Sequence, residues 1–142
     1  MPGCLFCRIV AGEVPAHHVV DSGLIRAFLD HRPLFPGHTL VVPAAHVDHL
    51  NSMPGDLIEP LWRTVRAVSR ALVEDFGAVG TFTATNTVVS QSVPHLHVHV
   101  VPRCPKDGLR GFFWPRTKYE SDEQAAVVAA ELAAHVAARL DG

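Results

Sequence analysis

A chain of 142 residues with 48% hydrophobic residues can bury a core as one domain without cross-links. Its net charge of −2, with both signs interspersed, excludes a broadly basic nucleic-acid footprint and leaves only a local pocket for a polyanionic ligand. The lack of an apolar run of roughly 18 residues, of a signal-peptide pattern in MPGCLFCRIVAGEVP and of an even cysteine set argues against membrane, export and a disulfide framework, and points to the cytoplasm.

Residues 17–22 (HHVVDS) and 24–30 (LIRAFLD) are short β-like runs split by Ser22-Gly23, which predicts a hairpin. RPLFPG (32–37) reads as a loop, and HTLVVPAAH (38–46) as a third strand ended by Pro43. The period then changes. Leu57, Leu61, Val65, Val68, Leu72 and Phe76 recur every three or four residues and share one helical face. Asp56 is placed to cap that helix, Pro60 is tolerated in its first turn, and Gly77 can end it. TFTATN (81–86) alternates as a strand does, and HLHVHVVP (95–102) follows a polar loop, with Pro94 where a strand can begin. KDGLRGFFWPRTKY (106–119), rich in Gly, Pro and aromatics, predicts order by packing without regular secondary structure. Ser121 with Gln124 resembles a capping box and opens an Ala-rich helix through Leu140. The order β-β-β-α-β-β-α predicts α+β with an antiparallel sheet, residues 1–142 forming a single domain.

Histidine is over-represented at ten residues, and three of them alternate within SQSVPHLHVHVVPR (90–103). In an extended strand i, i+2 and i+4 share a face, about 6.6–6.8 Å apart for each two-residue step. His95, His97 and His99 therefore line one surface, while Leu96, Val98 and Val100 line the core. One such histidine would be an ordinary surface residue; three in register beside Ser90-Gln91-Ser92 point to chemistry. Two readings compete. His-x-His can supply two ligands to a catalytic zinc that activates water. Alternatively, an imidazole attacks phosphorus, with neighbouring imidazoles holding its tautomer and protonating the leaving group. The second reading needs donors for phosphate oxygens, and the Ser92 hydroxyl, the Asn86 amide and the exposed amides of the 87–93 loop are such donors.

HLHVHVV resembles the alternating signature of the histidine triad (HIT) family. CLFCRIVAGEVPA looks like that family's N-terminal segment, and FLDHRPLFPGHTLVVPAAH like its run of an Asp, a Pro-Gly-His and a Pro-x-x-His. The likeness covers roughly residues 4 to 116 and leaves the helix at 118–142 as an extension. It implies a five-stranded antiparallel sheet with one long helix, usually paired into a homodimer that continues the sheet. It also implies a hydrolase that cleaves bonds at the α-phosphate of a purine nucleotide and releases a nucleoside monophosphate through a nucleotidyl-histidine.

Carried over residue by residue, the resemblance makes His97 the nucleophile and His99 its assistant on the phosphate side, with His38 packed under the triad. Asp30 matches the acidic residue that holds the ribose hydroxyls, which leans towards the Hint-like branch and its phosphoramidate substrates. Leu5, Phe6, Ile9 and Phe28 match the apolar slot for the base, although each is also an ordinary core residue type. Asn86, Gln91 and Ser92 match phosphate-contacting positions. The family's bacterial members imply a structural zinc on Cys4, Cys7, His46 and His95, closed by four protein ligands. One departure stands out. Where many relatives carry a longer, Gly-rich stretch between Asn86 and Gln91, this chain reads TVVS, and Val88 and Val89 are stiff at the backbone. The rival expectations are a dinucleoside polyphosphate hydrolase, a nucleotide-binding regulator with little turnover, and a zinc hydrolase.

Overall fold

A computed structural model describes residues 3–110 and 116–140. The chain divides into two compact units, residues 1–107 and 108–142. The first unit holds α1 (Leu5–Val10), β1 (His18–Val20), β2 (Ile25–Leu29), β3 (Thr39–Pro43), α2 (Ile58–Glu74), β4 (Gly80–Ala84) and β5 (Val98–Arg103). The strands form one antiparallel sheet in the order β1-β2-β3-β5-β4. The α+β class and the five-stranded antiparallel sheet are as the sequence predicts.

The sheet separates two cores. On one face α2 lays Leu61, Val65, Val68 and Leu72 against Ile25, Ala27, Val41, Leu96, Val98 and Val100. That is the helical stripe meeting the alternate residues of the strands, the two periods that bury one face each. On the other face lie Cys4, Phe6, Ile9, Phe28, Leu40 and Val42.

Three local expectations need correction. Asp56 does not cap α2: a 3-10 turn at Gly55–Leu57 feeds the helix, and no side chain bonds its N-terminus. Phe76 leaves the helical stripe because α2 stops at Glu74, and it is 78% exposed. Gly77 at φ +79° turns the chain back, with Ala78 donating to the Leu72 carbonyl at 3.0 Å. The last strand begins at Val98, so His95, Leu96 and His97 precede it. The reason is a diversion of hydrogen bonding, since Leu96 N–H donates to Val47 O at 2.6 Å, outside the sheet. The alternation survives this, with Leu96, Val98 and Val100 all at most 1% exposed.

The strand reading also missed α1. Six residues are too few to form a helix alone. This one is held by burial of Phe6 and Ile9 and by the Cys4 sulfur, which accepts the Cys7 N–H at 3.4 Å. In the Pro-Gly-His turn, Gly37 adopts φ +102°, and a Cβ there would lie 3.0 Å from a Leu72 methyl. Glycine thus lets the chain pass close to α2 and deliver His38 into β3.

The second unit contains α3 (Asp122–Ala137), three residues shorter than the expected end at Leu140. Ser121 accepts from Gln124 N–H at 3.1 Å, and the Gln124 side chain reaches back to Glu120 N–H at 2.6 Å, one residue earlier than a standard capping box. Among the described residues of 106–119 there is no helix or strand; 111–115 lie outside the described residues. No described helix is long and apolar enough to cross a membrane.

Candidate active site and metal centre

Four imidazoles lie on the α1 side of the sheet, and backbone groups set the tautomers of His38, His95 and His97 directly and that of His99 through His38. A backbone N–H only donates and a carbonyl only accepts. Leu34 N–H donates to His38 Nδ1 at 3.1 Å, so the neutral His38 ring carries its proton on Nε2. That N–H faces His99 Nδ1 at 2.9 Å, which leaves the His99 proton on Nε2. His97 Nδ1 lies 2.7 Å from the His95 carbonyl and must donate to it, so His97 Nε2 keeps a lone pair. His95 Nε2 donates in the same way to Pro43 O at 2.9 Å, which turns its Nδ1 lone pair towards the cysteines.

The rings support one another. Phe6 meets His97 edge to face with centroids 5.0 Å apart, and the His97 and His99 centroids are 5.1 Å apart. Thr85 Oγ1–H donates to the His97 carbonyl at 2.8 Å, fixing the backbone on which the ring stands. Burial holds His38, His95 and His97 below the ordinary imidazole range. For His99, burial and then its neighbours His97 and His38 push the pKa down to about 4, against the opposing pull of Asp30. Near neutral pH the cluster is uncharged, as the tautomer chain requires.

That depression has a sign and a window. Between an ordinary 6.5 and about 4, the unfolded chain takes up a proton at this position that folded His99 refuses. Stability is therefore complete above about pH 6.5 and falls as pH drops towards 4, by up to about 1.4 kcal/mol per pH unit for each such proton. The buried His38 shifts in the same direction. Urea unfolding midpoints at pH 7 and pH 5 check this: the pH 5 midpoint is expected to be lower, and an equal or higher one contradicts it.

Asp30 stands beside this chain. Its Oδ1 accepts Arg32 N–H at 2.9 Å, and its Oδ2 lies 3.6 Å from His38 Nε2. Phe6 and Phe28 form an edge-to-face pair at 5.3 Å next to the triad. Ile9 is buried in the same core, whereas Leu5 is 39% exposed and lines a cleft of about 320 Å3 with Cys4, His46, Ser92, Val93 and Pro94.

The loop after β4 behaves less simply. Val88 and Ser90 adopt φ of 67° and 62° in the left-handed region. A β-branched residue there is an outlier, with a cost of about 1–3 kcal/mol per strained residue. Asn86 Nδ2 donates to Ser90 O at 3.2 Å. Gln91 spends both ends of its amide on backbone, donating to Asp48 O at 2.7 Å and accepting from Val88 N–H at 3.2 Å. Asn86 and Gln91 thus brace the loop, while Ser92 stands exposed at the cleft.

The ligand atoms of Cys4, Cys7, His46 and His95 all lie within 4.8 Å of one another. Cys4 Sγ is 3.3 Å from His95 Nδ1, and Cys7 Sγ is 3.3 Å from His46 Nδ1 and 3.5 Å from His95 Nδ1. Tetrahedral zinc–sulfur and zinc–nitrogen bonds place such atoms about 3.3–3.8 Å apart. Both histidines donate their other nitrogen outward, His95 to Pro43 O and His46 to an Asp48 carboxylate oxygen at 2.8 Å. That is how metal-ligating imidazoles are commonly oriented. Burial, followed by the Cys4 thiol, pushes the Cys7 thiol up, so a bound cation would relieve a crowded pair. The four residues therefore fit a metal ion.

Sequence reasoning missed Thr85, Asp48 and the backbone groups of Leu34 and Pro43. The His46-x-Asp48 spacing was a usable signal; a carbonyl that fixes a tautomer leaves none.

Fold and site define a class: an antiparallel α+β domain whose sheet carries linked imidazoles beside a cluster of two cysteines and two histidines. The model of the HIT domain matches residues 11–106. A HIT family protein from Bacillus anthracis superposes with a TM-score of 0.84 at 26% identity, covering 94% of this chain and 96% of that one. A zinc-bound histidine triad family protein from Mycobacterium smegmatis reaches a TM-score of 0.72 at 33% identity, over 97% and 99% of the two chains. Adenosine 5'-monophosphoramidase hnt1 of Schizosaccharomyces pombe is 27% identical over 125 residues, 87% of this chain and 92% of its own. The chain belongs to the HIT family.

Proposed function

We propose that this protein is a nucleotide hydrolase that cleaves a bond at the α-phosphate of a purine nucleotide, with a nucleoside phosphoramidate as substrate, through a nucleotidyl-His97 intermediate. One observation carries the reading: His97 Nδ1–H is pinned to the His95 carbonyl at 2.7 Å, which leaves a neutral Nε2 lone pair beside His99. A pinned tautomer is how an imidazole is made ready as a nucleophile.

The His97 lone pair forms the N–P bond as the bond from phosphorus to the leaving group breaks. His99 Nε2–H donates to a phosphoryl oxygen and stabilises its gathering charge. The chain behind His99 ends at Leu34 N–H, a backbone amide that does not give up its proton. His99 therefore holds its proton in place, and the proton on the leaving amine comes from substrate or solvent. Water then cleaves the N–P bond, releasing the monophosphate and restoring neutral His97. Asp30 offers a carboxylate for two ribose hydroxyls, and the Phe6–Phe28 pair supports an apolar slot for the base. A phosphoramidase among the relatives supports this substrate class.

The proposal includes zinc on Cys4, Cys7, His46 and His95, supported by the distances and by a zinc-bound relative in the family. When bound, the ion supplies a closed four-ligand staple between α1 and the sheet, with no position left for activating water. It also includes a homodimer. β4 is an outer strand, and Ser69 of α2 meets its Thr81 at 2.6 Å. Ile58, Trp62 and Val73, at helical spacing from Ser69, are exposed, as are Phe76 and Val79, apolar surface that a second copy would cover. Sedimentation is expected to give twice the chain mass, and a monomer at micromolar concentration contradicts that part.

Mass spectrometry of products tests the substrate class. Adenosine phosphoramidate is expected to yield adenosine monophosphate and ammonia. Turnover of diadenosine polyphosphates with none of the phosphoramidate would replace this reading with its closest rival.

A further inference from the structure

We infer that Gln91 couples the Cys4–Cys7–His46–His95 cluster to the 87–91 loop, so that metal and nucleotide raise each other's affinity. The inference rests on the proposed zinc and nucleotide reading and adds a coupling between them.

Asp48 is the shared residue. Its carboxylate accepts from the metal-side ligand His46 at 2.8 Å, and its backbone carbonyl accepts from Gln91 Nε2 at 2.7 Å. The other end of the same Gln91 amide accepts from Val88 N–H at 3.2 Å. Asp48 and Gln91 together thus link a cluster ligand, His46, to the loop residue with the most unfavourable backbone, Val88 at φ 67°. The remaining bonds described in the loop are local: Val89 N–H to Thr87 O, Gln91 N–H to Val88 O and Asn86 to Ser90 O. Among the described residues, only the Gln91 bond ties it to a segment 43 residues away. A Gly-rich loop would adopt left-handed φ without such a tie, whereas TVVS needs the brace. The departure noted in the sequence and the engagement of Gln91 are then one feature.

Holding His46 on a metal fixes Asp48, and through Gln91 it fixes the backbone of the 87–91 loop, which the proposed reading sets on the phosphate side. Linkage requires the converse by the same factor, about 5-fold or more for a coupling of ordinary size. Gln91 is on this account a positioning residue.

The test compares adenosine monophosphate affinity by calorimetry in zinc-loaded and chelator-stripped protein, for wild type and Gln91→Ala. Wild type is expected to lose about 5-fold or more on stripping, and the variant less than about 2-fold. Equal loss in both overturns the inference, because the effect would then pass wholly through α1, which carries both Cys7 and Phe6. Amide exchange at Val88 gives a readout that needs no nucleotide. It is expected to quicken on stripping in wild type and to be fast and zinc-insensitive in Gln91→Ala. If zinc-loaded protein binds no nucleotide, the functional reading fails and the exchange result alone decides the coupling. If no zinc is taken up, the coupling and the metal assignment fall, while the hydrolase reading through His97 stands.

Discussion

His97→Ala is expected to lose turnover by on the order of 10³–10⁶ in kcat while still binding a nucleoside monophosphate. The size of the effect follows from the other rings, none of which can substitute. Both nitrogens of His38 are engaged, by Leu34 N–H and by His99. His95 gives one nitrogen to Pro43 O and turns the other to the cysteines. His99 Nδ1 accepts from His38, and its Nε2 carries the proton. His97 alone in the cluster offers a lone pair that no described neighbour takes. His99→Ala removes one donor to the phosphoryl oxygen and is expected to cost about 10²–10³, the scale of one oxyanion contact. Single-turnover kinetics on both variants separate the two roles. Equal residual activity in His97→Ala and wild type would leave a nucleotide-binding regulator as the surviving account.

Removal of zinc is expected to lower the unfolding temperature while leaving the chemical step in whatever protein remains folded. Binding a metal to the folded state alone stabilises by about 4 kcal/mol when free metal is a thousand times its Kd. The loss should be concentrated in α1, whose six residues depend on the Cys4 cap and on Phe6 and Ile9. Cys4→Ala removes a ligand and that cap together, so chelation of the wild-type protein is the cleaner comparison. Metal affinity should weaken as pH falls, since both thiols must shed protons and burial already holds the Cys7 thiol up. Thermal unfolding and single-turnover rates with and without chelator read both effects. If stripping abolishes the chemical step while the fold survives, the metal is catalytic and the structural assignment is wrong.

What the sequence discloses depends on whether a feature is periodic or contextual. The α2 stripe and the strand alternations are repeats, and burial follows them from Leu61 to Leu72 and from Leu96 to Val100. α1 has no room for a repeat; it forms because Cys4, Phe6 and Ile9 find tertiary partners. The triad's shared face was legible although His95 and His97 lie outside the strand, because Leu96 keeps the alternation while bonding to Val47. The four candidate metal ligands, from Cys4 to His95, lie together as the resemblance implies; only Cys4-x-x-Cys7 is a pair held by local spacing, and His46 and His95 come from separate segments. Gln91 is the instructive case. Its amide chemistry suits a phosphate, yet both ends are taken by backbone from Asp48 and Val88, and no pattern of residue types discloses where an amide points.

The central claim is that His97 becomes covalently nucleotidylated. Rapid quenching during turnover of adenosine phosphoramidate, followed by peptide mass spectrometry, tests it most directly. The account predicts one adenylyl group on His97, absent from His97→Ala and accumulating where water attack is slow. Turnover with no adduct on His97, or with the adduct on another residue, would contradict it.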